Sequence, residues 1–130
     1  MNIKWPFYFS LTFWPFIFFS TEHYNDPAVH QHEMVHYRRQ RWIVLWWVLK
    51  YEISKKFRFM EECEAYKTEI EYKVTNNIQF SYDQYINNLL WSGYRNMCSR
   101  DEATTFINTI RRSYENQTIK ENLGRDVESS

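Results

Sequence analysis

The sequence predicts a single α+β domain, predominantly helical, and three observations carry that prediction. Residues 3–20 are rich in Phe, Trp, Ile and Thr and interrupted by Pro6 and Pro15, a pattern that suits short extended segments better than a helix. Beyond Pro27, successive stretches carry helix-start signals or apolar residues at helical spacing. With only two Gly and three Pro in 130 residues, the chain has few loop-formers and enough length for one modest core. The expected order is a β-hairpin within residues 1–20, helices across 27–74, a helical pair over 81–114 and a flexible polar tail over 115–130.

Each element has a local reason. The hairpin is expected to turn near Trp14-Pro15. Asn25-Asp26-Pro27 reads as a turn leading into a helix, with Asp26 as its N-cap and Pro27 at the first helical position, where a missing N–H costs nothing. That helix should reach about Arg41 and continue through the apolar run WIVLWWVLKY, which is too short to span a bilayer and reads as a buried helix. A further helix is expected from Arg58 to Val74, then two more from Ser81 to Tyr94 and from Ser99 to Tyr114. The last opens on a Ser99/Glu102 capping box and carries Ala103, Phe106, Ile107 and Ile110 on one face.

Composition excludes several classes. Hydrophobic residues make up 44% of the chain, too many for a disordered protein, and aromatics alone reach 20%. Sixteen basic and sixteen acidic residues cancel, so no global charge draws the chain to nucleic acid. Cys63 and Cys98 form neither a disulfide framework nor a CxxC pair, and Cys63 reads as a small packed thiol. The aromatic N-terminal run lacks a small-residue cleavage site and is broken by Pro6, Ser10, Thr12 and Pro15. A signal peptide or transmembrane helix is therefore not expected, membrane contact is not favoured, and the expected location is cytoplasmic or virion-associated.

The chemistry is concentrated in His32-Glu33-Met34-Val35-His36, an HExxH motif inside the first expected helix. Residues i and i+4 share a helix face, so both imidazoles can converge on one ion, with Glu33 beside them as a base rather than a ligand. In such sites zinc lowers the pKa of a bound water toward 7, and the carboxylate takes its proton. A catalytic zinc also needs a third protein ligand, and Glu61, Glu62 and Glu64 all lie on the following helix.

The segments HEMVH, WIVLWWVLKYEISKKFRF and ECEAY together resemble the gluzincin metallopeptidases, in which HExxH is followed by a helix bearing E-x-x-x-D or E-x-E-A. The resemblance covers about residues 14–72 and is to compact bacterial and phage proteins with an aromatic hairpin between the two motifs. It implies a minimal zincin-like fold, Zn2+ as cofactor, Glu62 as third ligand ahead of Glu61 or Glu64, and a peptide or protein substrate. It further implies substrate laid along an edge strand, a role open to residues 14–20. Tyr66 stands where many relatives carry an Asp that supports a histidine; it is expected to accept an imidazole N–H or to donate to an oxyanion. Glu69 shares Glu62's helix face and is a second candidate supporter, and Gln40, one turn beyond His36, a third. His30 reads as a surface or capping residue, and His23 as a turn residue able to approach the site.

The functional expectation is zinc-dependent hydrolysis of peptide bonds with Glu33 as general base. The alternative is a non-catalytic zincin scaffold, such as a virion or other assembly component, that meets a protein partner through its aromatic surfaces.

Overall fold

A computed structural model describes residues 1–128 and shows an α+β chain that is mostly helical, with one small sheet. Strands β2 (Leu11–Phe13) and β3 (Phe16–Ser20) pair antiparallel about Trp14-Pro15, whose peptide bond is cis. The hairpin is only part of the sheet. Strand β1 (Asn2–Trp5) pairs parallel with β3 on its other side, giving the order β1-β3-β2. Pairing between strands separated by a crossover leaves no mark on local periodicity, so residues 2–5 give no sign of which neighbour they take. Strand β3 alternates as a one-face-buried strand does, with Ile17 and Phe19 inside. Its central position gives it partners on both sides, so residues 16–20 have no free edge for a substrate strand; the edge strands are β1 and β2.

Helix α1 (Pro27–Gln40) starts as its sequence directs: the Asp26 carboxylate accepts from the Ala28 N–H and Pro27 occupies the first position. Its inward face is Ala28, His32, His36 and Gln40, a stripe at i+4 spacing with Glu33 beside it, so a largely polar row is buried. The helix does not run on through the apolar segment. Arg41 takes φ 28°, a backbone region that L side chains rarely adopt, and a turn of 3₁₀ helix leads into a separate helix α2 (Val44–Ile53).

Two expectations change here. The segment between the motifs is helical, not the hairpin implied by the resemblance, and α2 is not a buried helix: among its residues only Trp47 is buried. Helix α3 (Lys55–Thr75) begins three residues earlier than expected, because Ser54 caps it by accepting from the Phe57 N–H.

A hydrophobic cluster joins α3 to the C-terminal helices. Cys63, Tyr66 and Ile70 pack with Tyr85, Ile86 and Leu89 of α4 (Tyr82–Leu89), with Met97, and with Ala103, Ile107 and Ile110 of α5 (Arg100–Glu128). Helix α4 stops at Leu89, short of the expected Tyr94. Trp91 and a 3₁₀ turn at Ser92–Tyr94 follow instead, and the Trp91 ring lies over Gly93 so closely that any Cβ there would meet it at 2.2 Å. Ser99 and Glu102 form the expected reciprocal capping box. Beyond it α5 extends past residue 114 to Glu128, where the sequence predicts a frayed tail. Same-face pairs such as Arg111–Glu115 and Gln117–Glu121 support this exposed extension.

Candidate metal centre

Helices α1 and α3 pack so that His32, His36 and Glu62, all buried, bring one ligand atom each to within 4.8 Å of one another. His32 Nε2 lies 3.3 Å from Glu62 Oε2, and His36 Nε2 lies 3.4 Å from Glu62 Oε1. Zinc bonds of about 2.0–2.2 Å in a tetrahedron place ligand atoms roughly 3.3–3.6 Å apart. These two separations, each to a different oxygen of Glu62, fall in that range, the three ligand atoms lie within 4.8 Å of one another, and two imidazoles with one carboxylate are a donor set that suits zinc. On both counts the residues fit the ion that the motif implies.

The other two carboxylates of the segment are elsewhere. Glu61 is buried but holds Arg39, whose Nε donates to both carboxylate oxygens at 2.8 and 2.6 Å. Glu64 is exposed.

Glu62 is also held by residues that the motif does not announce. The Tyr51 hydroxyl donates to Oε1 at 2.6 Å and the Tyr94 hydroxyl to Oε2 at 2.9 Å. Both tyrosines are in turn tied down by Arg58, itself buried, which donates from Nε to the Tyr94 carbonyl and from Nη1 to the Tyr51 carbonyl. One guanidinium thus fixes the backbone behind both hydroxyls, using the spread of its rigid fork. Nothing in spacing or periodicity marks Tyr51, Arg58 or Tyr94 as a set. They come from α2, α3 and the 3₁₀ turn, and only the packing of these elements joins them.

Of the three candidate supporters, Glu69 reaches the site. Its Oε1 is 3.4 Å from His32 Nδ1, close enough for charge pairing although off the line of a hydrogen bond, while its Oε2 accepts from the Tyr85 hydroxyl. Tyr66 contacts His32 with its ring, edge-on at a centroid distance of 4.5 Å, but its hydroxyl meets Tyr94 at 2.9 Å and not an imidazole N–H. Tyr94 gives its single proton to Glu62, so Tyr66 is the donor of that pair and the order of donation runs Tyr66 to Tyr94 to Glu62. In this arrangement the Tyr66 proton is not aimed at an oxyanion.

Gln40 does not support His36. Its amide is engaged by the outer edge of the hairpin, donating to the Thr12 carbonyl at 2.8 Å and accepting from the Trp14 N–H at 2.7 Å. Neither imidazole Nδ1 has a hydrogen-bond partner among the described residues, but His32 Nδ1 has the Glu69 carboxylate 3.4 Å away, so the two imidazoles are unequally supported.

The electrostatics follow from burial and close charges. Burial opposes a charge on His32, but the carboxylates of Glu62 and Glu69 reverse this and hold its pKa well above the usual imidazole value. Burial likewise opposes ionisation of Glu62, yet His36 and His32 hold its carboxyl well below the usual carboxylate range. Tyr51, Tyr66 and Tyr94 are all pushed up, first by burial and then by the negative charge of Glu62, so each hydroxyl remains a proton donor. Burial pushes the Cys63 thiol up to about 12, in keeping with a core residue rather than a reactive one.

Glu33 is buried beside the histidines, and its Oε2 accepts from the Thr12 hydroxyl of β2 at 2.6 Å. A cleft of about 620 Å³ opens at this point. His32, Glu33, Tyr66, Glu69 and Tyr94 line its inner wall, and Tyr8, Phe9, Phe80 and Trp91 are among the aromatics around the rest. His23 lines the same cleft, whereas His30 stacks on Phe19 at 3.9 Å and bonds through Nε2 with the Tyr24 carbonyl. Comparisons with protein-family models, curated proteins and solved structures found no match to this chain.

Proposed function

We propose that this chain is a zinc-dependent hydrolase of peptide bonds, built on a minimal zincin-like arrangement with His32, His36 and Glu62 as ligands. The observation that supports this most is the convergence of three buried ligand atoms beside a carboxylate, Glu33, that opens on a cleft. Zinc held by these residues would supply Lewis acidity toward a carbonyl and lower the pKa of a water. The protein's own groups do the rest. The Thr12 hydroxyl orients the Glu33 carboxylate, which takes a proton at its free oxygen from a water in the cleft and returns it to the departing amine. Tyr51 and Tyr94, backed by Arg58, fix the rotamer of Glu62.

The test is Glu33→Gln assayed on a quenched fluorescent peptide library. Zinc content should be unchanged and kcat should fall by about 10²–10⁴-fold, the usual contribution of a positioned base. Equal activity in the two proteins would refute the assigned base.

A second reading, a scaffold of the same kind without catalysis that contacts a protein partner, is favoured by one observation. Gln40 occupies the Thr12 carbonyl and the Trp14 N–H on the outer edge of β2, two of the backbone groups that a substrate strand would use. Stoichiometric zinc with no turnover of any peptide in the library would select this reading.

A further inference from the structure

Helix α2 is built inside out. Its inner side carries Trp47 and Tyr51, the latter reaching Glu62, while its outer side carries Leu45, Trp46, Leu49 and Ile53. At 100° per residue these four fall within one sector of roughly 100°, so they form a continuous apolar stripe. The stripe faces outward: Leu45 is 76%, Trp46 60% and Ile53 74% exposed. Ile43 and Met60 are exposed as well. Single exposed apolar residues need no explanation, but a contiguous stripe marks a surface that something covers.

Charge around the stripe points to one kind of cover. Residues 37–60 hold seven of the chain's sixteen basic residues and one of its sixteen acidic ones, although the whole chain is neutral. Arg38, Arg41, Lys50, Lys55 and Lys56 are exposed, and the lone acid, Glu52, is paired with Arg95 at 2.9 Å. Lys50 lines one shallow groove together with Ile43 and Trp46, where Arg39 is paired with Glu61, so the Lys50 ammonium borders the apolar surface directly. Lys55 and Lys56 stand in the first turn of α3, where the helix dipole disfavours positive charge and no acid offsets it. No helix among the described residues is long and apolar enough to cross a membrane.

We propose that α2 is an in-plane docking helix for the surface of an anionic lipid bilayer. Leu45, Leu49, Ile53 and Trp46 enter the boundary between headgroups and acyl chains, with Trp46 at the depth that tryptophan favours, and the basic residues meet lipid phosphates. A neutral protein binds this way through local charge concentration, not net charge.

The full-length protein is tested by co-sedimentation with vesicles of phosphatidylcholine alone and of phosphatidylcholine with phosphatidylserine. Binding is expected only to the anionic vesicles and should weaken as salt is raised. Lys55→Glu/Lys56→Glu should bind at least tenfold more weakly, and Trp46→Ser/Leu49→Ser should lose binding at every salt concentration. Circular dichroism and zinc content show that each variant remains folded, since none of these four side chains reaches the metal centre. Equal binding by the wild type and both variants would overturn the proposal. So would the absence of vesicle binding together with a concentration-dependent dimer in light scattering, which would assign the stripe to a second copy of the chain.

Discussion

Glu62→Gln isolates the carboxylate on which both histidines converge while keeping its volume. In the metal-free protein the charge of Glu62 is buried and compensated by two tyrosine hydroxyls at 2.6 and 2.9 Å and by two imidazole nitrogens at 3.3 and 3.4 Å. The amide keeps an acceptor for one hydroxyl, whose charge-assisted bond becomes a neutral one, and sets an NH₂ group against the other, a loss of about 1 kcal/mol each. It also leaves the His32 imidazolium, whose pKa Glu62 helps to raise, without its nearest counter-charge. Removing one partner of a buried pair costs about 3–5 kcal/mol, so the expected loss is about 3–4 kcal/mol, a large share of the roughly 5–15 kcal/mol typical of a folded domain.

The pH dependence gives a sharper test. The His32 pKa is raised on folding, so its contribution is complete below about 6.5, its unfolded value, and is lost as pH rises through the folded value. The Glu62 pKa is lowered, so its contribution is present above about 4.5 and is lost as pH falls through the folded value. The difference between wild type and variant should therefore be widest between about pH 4.5 and 6.5 and narrow toward alkaline pH. Urea unfolding with a chelator present, at several pH values, measures it. A difference below about 1 kcal/mol at pH 6, or one that does not change with pH, would refute the buried pair.

Three further outcomes follow from the same geometry. Gln40→Ala removes both ties from α1 to the outer edge of β2 and leaves a small cavity, so chemical denaturation should show a loss of about 2–4 kcal/mol. Arg41→Gly relieves a residue at φ 28°, and the melting temperature should rise by an amount equivalent to about 1 kcal/mol; a fall would mean that the backbone there is not strained. Zinc affinity, measured by chelator competition, should drop as pH is lowered from about 8 to 6, by up to about tenfold per unit for each proton displaced. The loss should begin at a higher pH than for an ordinary imidazole, because His32 holds its proton more tightly.

The legible parts of this molecule were those written in local spacing. The Asp26-Pro27 start and the HEMVH period place His32, Glu33 and His36 on one buried stretch of helix; spacing alone left Glu61, Glu62 and Glu64 open, and Glu62, which meets the histidines, was implied only by the resemblance. Glu69 was visible for the same reason, being two turns beyond Glu62. The residues that hold Glu62 from outside its own helix were not visible. Tyr51, Tyr94 and Arg58 meet only through tertiary packing, and a chain with ten tyrosines gives no reason to prefer two of them.

Other features were hidden because two arrangements share one pattern. Strand β1 has the composition of a hairpin arm but pairs parallel across β3. The run from Ile43 to Ile53 is apolar nearly all round, so its composition could not say which side would face outward. Gln40 sits at the i+4 position after His36 and so pointed toward it; the hairpin edge supplied better-placed partners for both ends of its amide.

The central claim is that two imidazoles and one carboxylate hold a metal, and metal content tests it most directly. Purified protein, dialysed against zinc and then against metal-free buffer, should retain one zinc per chain by mass spectrometry under native conditions. His32→Ala, His36→Ala and Glu62→Gln should each lose it, while Glu61→Gln and Glu64→Gln retain it. A folded wild-type protein that binds no zinc, or zinc that persists in Glu62→Gln, would contradict the account.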